Sequence, residues 1–196
     1  MARVLVLGAH YDDVEIAVGG SLIQHHLNHD DIHIAVLFSD DNKAGMPSVR
    51  EMEQVVVLGK LDATLWKFES TTPMSYIVKS LDSIGAEILY FPYELDTHQD
   101  HKYTSDVGFA LARDSSHTVL KYVTVTSYNF YPNYFQVIDM EAKKKLVSHF
   151  TTQIERRPDY IRKMEMLNWF FGSLISGDNF AEGFIVHKII KYKEGK

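Results

Sequence analysis

The chain has 196 residues, 45% hydrophobic and 23% charged, with 20 Lys and Arg against 26 Asp and Glu for a formal charge of −6. That length predicts a single domain over 1–196, with enough apolar material to build a core without disulfide or metal staples. The acidic balance argues against a nucleic-acid partner held by a basic field, and the lack of cysteine excludes disulfides, thiolate metal sites and thiol nucleophiles.

The first element is Arg3–Gly8, a short and nearly all-apolar run that predicts a strand buried on both faces. It ends at His10, Asp12 and Asp13 with no cleavage site after it, so it reads as a strand and not as a signal peptide. No stretch approaches the roughly 18 apolar residues of a membrane span, and the default expectation is a cytoplasmic protein. Helical spacing runs from Glu15 to His29, then a strand over Ile32–Phe38 and a helix over Pro47–Leu58 stopped at Gly59. A short strand at Ala63–Phe68, a helix at Pro73–Ile84 and a strand at Glu87–Phe91 follow. A polar loop at Pro92–His101 precedes a helix over Lys102–Arg113 and a β-rich run at Tyr122–Thr126. The last third predicts strands at Phe135–Ile138 and Phe184–Ile190 and helices at Met140–Phe150 and Pro158–Phe171.

Strands alternating with helices predict an α/β fold, a Rossmann-like and mostly parallel sheet flanked by helices. Ligands of such sheets bind beyond the carboxyl ends of the strands. Two polar clusters fall there: His10-Tyr11-Asp12-Asp13-Val14-Glu15, and Asp96-Thr97-His98-Gln99-Asp100-His101. Without cysteine, a catalytic metal needs this kind of His and Asp supply, with a coordination position left for water. Either cluster alone also reads as a helix cap beside a solvated histidine. Both together, each at a strand end, favour a shared site.

His10-x-Asp12-Asp13-x-Glu15 closed by Gly19-Gly20, with His98-Gln99-Asp100-His101 after the fourth strand, resembles the paired signatures of the PIG-L/LmbE-like zinc-dependent N-deacetylases. Arg50 and Glu53 resemble that family's Arg-x-x-Glu, the run from Phe135 through Asp139 to Thr152-Gln153 its later strand and helix, and Glu182 with Phe184 its closing Glu-x-Phe. The resemblance implies that His10, Asp13 and His101 bind one zinc and that Asp12 is the general base toward the water. It further implies that His98, oriented by Asp100, supports the oxyanion and protonates the leaving amine. The chemistry is coherent: zinc lowers the pKa of water to about 7, and a carboxylate and an imidazole then handle the protons. Iron or another divalent ion also suits a His/Asp/His set. Glu15 reads as a hydrogen-bonding neighbour of the site and not as a ligand.

Tyr11 stands where the family commonly has a small residue or proline, and is expected to wall the substrate site. Arg50 reads either as a contact to a substrate phosphate or carboxylate or as an ion-pair partner of Glu53. Residues 39–45 lack the family's longer glycine-rich loop. His25 and His29 have helical metal-pair spacing without the Glu between them, and read as a solvated face with His26. Lys143–Lys145 and Arg156–Arg157 read as solvated charge runs. The aromatics Tyr128, Phe130, Tyr131, Tyr134 and Phe135 fit a sugar wall, a subunit contact or core equally; His117, His149 and His187 carry no pattern.

The expected function is hydrolysis of an N-acyl group, foremost N-acetyl, from an amino sugar or sugar conjugate. The alternatives are another amide or an ester, such as an N-formyl sugar, or a catalytically silent metal- or sugar-binding module. The expected partners are a small-molecule substrate and, by family analogy, further copies of the chain.

Overall fold

A computed structural model describes residues 1–40, 48–113, 118–175, 177 and 179–190. The expectations at positions 41–47 and at His117 lie outside the described residues. Among the described residues, seven strands form one sheet: β1 (Arg3–Gly8), β2 (Asp31–Val36), β3 (Ala63–Lys67), β4 (Ile88–Pro92), β5 (Thr118–Tyr122), β6 (Tyr134–Val137) and β7 (Ala181–Ile189). Their order is β3-β2-β1-β4-β5-β7-β6. The first five are parallel, while β7 runs antiparallel to β5 and β6 antiparallel to β7. The described helices are α1 (Asp13–Leu27), α2 (Val49–Leu61), α3 (Met74–Asp82), α4 (Gln99–Ala112), α5 (Met140–Val147), α6 (Thr151–Arg156) and α7 (Tyr160–Ser173).

The apolar run of β1 follows from burial on both sides. Val4 and Val6 pack with Ile32 and Ile34 beneath Val18 and Leu22 of α1 and Val57 of α2. Leu5 and Leu7 face the opposite layer, with Ile77 and Leu81 of α3 and Val107 and Leu111 of α4. Strands of period two between two helical layers leave no polar face, so alternation is absent from the sequence. Because β1 has β2 on one side and β4 on the other, the chain leaves the sheet centre in opposite directions. The crevice at that switch point opens beyond Gly8 and Pro92, where the two polar clusters begin.

Several boundaries differ from the sequence expectation. The β-rich run at Tyr122–Thr126 is not a strand: β5 lies upstream at Thr118–Tyr122, because Thr124, Thr126 and Ser127 turn away to donate to Asp96. α2 runs through Gly59 and stops at Asp62, whose left-handed φ of 51° takes the capping role assigned to Gly59. α4 starts at Gln99, since the His98 side chain caps it by accepting from Asp100 N at 3.2 Å, so His101 lies inside the helix. α5 ends at Val147, and the short α6 intervenes before α7.

Lys143 was expected on a solvated surface and is fully buried. Its Nζ donates to Glu182 Oε1 at 2.6 Å and to Asn168 Oδ1 at 3.0 Å. Glu182 also accepts from Gly20 N at 2.7 Å and from Ser21 N at 2.8 Å. One carboxylate thus joins α1, α5 and β7. Gly20 is needed for a different neighbour: a Cβ there would stand 2.5 Å from Ile138 Cγ2, so only glycine lets Ile138 pack this close to α1. Among the described residues no helix is long and apolar enough to cross a membrane.

Candidate metal centre and active site

The turn after β1 is shaped by its own acids. Asp13 Oδ2 accepts from His10 N at 2.9 Å, folding the cluster back on itself. Asp12 has φ 95°, left-handed backbone that costs a residue with a Cβ about 1–3 kcal/mol. Two long-range donors hold it: Arg50 Nη2 reaches Asp12 Oδ1 at 2.9 Å and Tyr11 O at 2.7 Å, and Tyr160 Oη donates to Asp12 Oδ2.

The two clusters meet as the topology requires. Asp13 Oδ2 lies 3.4 Å from His10 Nδ1 and 3.4 Å from His101 Nε2. A tetrahedral ion with bonds of about 2.0–2.1 Å separates its ligand atoms by about 3.3–3.4 Å. Both measured edges match, and His10, Asp13 and His101 offer ligand atoms all within 4.8 Å of one another. The residues therefore fit a metal ion. His10, His98 and Asp100 form a second grouping of the same tightness.

Each of the two histidines facing Asp13 has its other ring nitrogen on a carboxylate, the arrangement that orients metal-binding imidazoles. His10 Nε2 lies 2.9 Å from Asp100 Oδ2, and His101 Nδ1 lies 3.1 Å from Asp96 Oδ2. Asp96 is itself fully buried and accepts from His98 N at 2.7 Å and from Thr126 Oγ1 at 2.6 Å. The expected Asp100–His98 pair is not a hydrogen bond, at 3.8 Å. Capping α4 commits His98 Nδ1 to the Asp100 backbone, and the Asp100 carboxylate goes to His10 instead. A ring whose Nδ1 accepts carries its proton on Nε2.

Electrostatics follow the contacts. Burial lowers the His101 pKa, but hydrogen bonds to Asp13 and Asp96 outweigh it and raise it to about 10. Burial opposes ionisation of Asp13, yet His10 and His101 pull its pKa well below the usual carboxylate range. For Asp12, burial and then the charge of Asp13 raise the pKa, against the opposing pull of Arg50 and Tyr160. Glu15 is buried and accepts from Gln54 Nε2 at 2.6 Å; desolvation lifts its pKa to about 7 against the pull of that hydrogen bond.

A cavity of about 240 Å³ opens over this centre, lined by His10, Asp12, Asp13, His98, His101 and Arg50. Gln153, Arg156, Arg157 and Tyr160 line it as well; Arg156 and Arg157 are exposed, as expected of a solvated run, and also border this space. A second, more apolar cavity of about 340 Å³ shares Ile16, Val125, Arg157 and Tyr160 with the first and continues to Met164, Leu167 and Phe171. Tyr11 does not wall either space: its side chain is fully buried. The aromatic group lines neither cavity; Phe130 and Phe135 pack on Phe171, while Tyr131 is exposed. His25 is not solvated either, bridging Asp30 at 2.8 Å and the Tyr90 hydroxyl at 3.0 Å. Glu53 accepts from Thr151 and Thr152, tying α2 to α6.

Asp96 and Tyr160 escaped the sequence reading. Asp96 stood in the second cluster without a distinguishing spacing, and Tyr160 is 148 residues from its partner, with no local signal.

No family model and no curated protein matches the chain. Solved structures do. The conserved protein TT1542 from Thermus thermophilus superposes with a TM-score of 0.82 at 19% identity, over 100% of this chain and 99% of that one. The N,N'-diacetylchitobiose deacetylase from Pyrococcus horikoshii gives 0.79 at 17% identity, over 94% and 83%. GalB, the 4-carboxy-2-hydroxymuconate hydratase from Pseudomonas putida, gives 0.77 at 14% identity, over 100% of both chains. With the two motifs placed at the strand ends of this sheet, the chain has the PIG-L/LmbE-like fold.

Proposed function

We propose that the protein is a metal-dependent hydrolase that removes an N-acyl group, foremost N-acetyl, from an amino sugar or sugar conjugate. The observation that carries this reading is the convergence of His10, Asp13 and His101 on one point, with a separate carboxylate and a separate imidazole on the same cavity. The three ligands would hold one divalent cation, and zinc is assigned because it takes mixed His and carboxylate sets with an open position. When bound, such an ion lowers the pKa of water and polarises an amide carbonyl.

The chain's own residues do the rest. Asp12, kept basic by burial and by Asp13, takes the proton from the attacking water, while Arg50 and Tyr160 fix its two oxygens. His98, on the cavity wall with its proton on Nε2, donates a hydrogen bond toward the developing oxyanion, and the proton that Asp12 took from water passes to the leaving nitrogen. The carbon–nitrogen bond breaks, and the carboxylic acid and the free amine leave. Asp100 and Asp96 keep the two ligand imidazoles aimed.

Metal content of the purified protein beside its His101→Ala variant, together with acetate release from N-acetyl sugars before and after chelation, tests this reading. About one metal per chain, lost in the variant, and activity restored by zinc are expected. No metal bound even when zinc is supplied would overturn it. The full-length likeness to a hydratase supports a second reading, in which the same base adds water without releasing an amine. Product analysis separates the two, and chelation-insensitive sugar binding without turnover would leave only a binding module.

A further inference from the structure

The cavity over the metal cluster is more cationic than the chain. The molecule has six arginines and a net charge of −6, yet Arg50, Arg156 and Arg157 all line this one space. The charges inside it are not equally free. Asp12 is taken by Arg50 at 2.9 Å, and Asp13 lies between His10 and His101. Arg156 and Arg157 hold no carboxylate in an ion pair among the described residues. The nearby acid Asp159 pairs with Lys163 at 2.6 Å and feels the charge of Arg157 only as a weaker, longer-range contribution.

The pair is also fixed relative to the reacting centre. Arg157 N donates to Gln153 O at 2.9 Å, and Tyr160 N donates to Arg157 O at 2.9 Å. That same Tyr160 carries the hydroxyl bonded to Asp12. The backbone bearing the two guanidinium groups is thus anchored to the proposed base through one residue. Adjacent guanidinium groups suit an oxyanion, because each offers paired N–H donors in a planar fork.

We infer that Arg156 and Arg157 form an oxyanion-binding subsite of this cavity, and that the N-acyl substrate bears a phosphate or carboxylate besides the scissile amide. This rests on the hydrolase reading and narrows its substrate class. A neutral N-acyl sugar leaves both exposed cations to water, whereas an anionic one gives them a charged partner within the cavity they line.

The test compares hydrolysis of N-acetylglucosamine, its 1-phosphate and 6-phosphate, and N-acetylmuramic acid by the metal-loaded enzyme. Calorimetric binding of the deacetylated products is measured in parallel. An anionic substrate is expected to exceed the neutral one by about 10–100-fold in kcat/KM, the value of a charge-assisted contact. Arg156→Ala and Arg157→Ala are expected to raise KM for it about 10-fold each with little change in kcat. Exposed Arg162, which lines neither cavity, supplies the charge-matched control Arg162→Ala, with KM unchanged. Preference for the phosphates over the muramic acid identifies the anion as phosphate, and the reverse as carboxylate. Equal use of neutral and anionic sugars, with no response to the arginine variants, overturns the subsite but leaves the hydrolase intact. Absence of turnover on every sugar, with arginine-dependent binding of the anionic products retained, overturns the hydrolase reading and keeps the subsite.

Discussion

Asp96 and Asp100 occupy matching positions behind the two histidines that face Asp13, and the proposed hydrolase reading gives both the work of orienting those imidazoles. Asp96→Ala and Asp100→Ala are each expected to weaken metal affinity by about 10–100-fold, read by competition with a chromogenic chelator. Undiminished affinity in Asp100→Ala, with kcat alone reduced, would return Asp100 to the service of His98. Tyr160 donates to Asp12, and on the proposed reading it is a positioning residue. Tyr160→Phe is expected to lower kcat by about 10-fold or more, with metal content and KM nearly unchanged. A parallel loss of bound metal would show instead that the substitution disturbs the whole turn. The ligand types of both clusters were legible in the sequence. The pairing of Asp100 with His10 was not, because it depends on which residue caps α4.

At the scale of elements, α2 and α6 meet through one carboxylate. Glu53 accepts from Thr151 Oγ1 at 2.6 Å, Thr152 N at 2.8 Å and Thr152 Oγ1 at 2.7 Å. Burial raises its pKa, but these donors outweigh it and hold the value below the ordinary 4.5. A depressed acid contributes stability that is present above its unfolded pKa and is lost as pH falls through the folded one. Urea unfolding at a series of pH values should therefore show stability declining below about pH 4.5. Glu53→Gln should cost about 1–3 kcal/mol at pH 7 and flatten that acid limb. An unchanged limb in the variant would assign the acid sensitivity to other carboxylates. The elements themselves were largely readable, since apolar runs and helical spacing report burial. The misplacement of β5 has a specific cause: Thr124 and Thr126 have strand propensity, but their hydroxyls are used by Asp96, and that acid lies on another strand's loop.

Across the whole molecule, the Lys143–Glu182 pair is an ion pair enclosed between layers, with both side chains fully buried. Burial lowers the Lys143 pKa while Glu182 raises it, and the balance lies below the ordinary 10.5. Lys143→Met leaves the carboxylate without its cation and is expected to cost about 3–5 kcal/mol, measured by chemical denaturation. A loss under about 1 kcal/mol would show that the backbone donors of Gly20 and Ser21, with the Ser21 hydroxyl, satisfy Glu182 alone. Nothing local marks Lys143 as different from Lys144 and Lys145, so its burial was invisible until α5 was placed against β7. What the sequence by itself determined was the α/β layering, the strand-end location of both polar clusters and their supply of ligand types. These follow from local apolar patterning and from the rule that parallel sheets bind at a switch point. The tertiary structure alone decided which carboxylate serves which histidine, that Tyr160 reaches Asp12, and that two arginines wall the same cavity. Such pairings join residues up to 148 positions apart, and their geometry is set by packing between layers, for which a chain read locally carries no period.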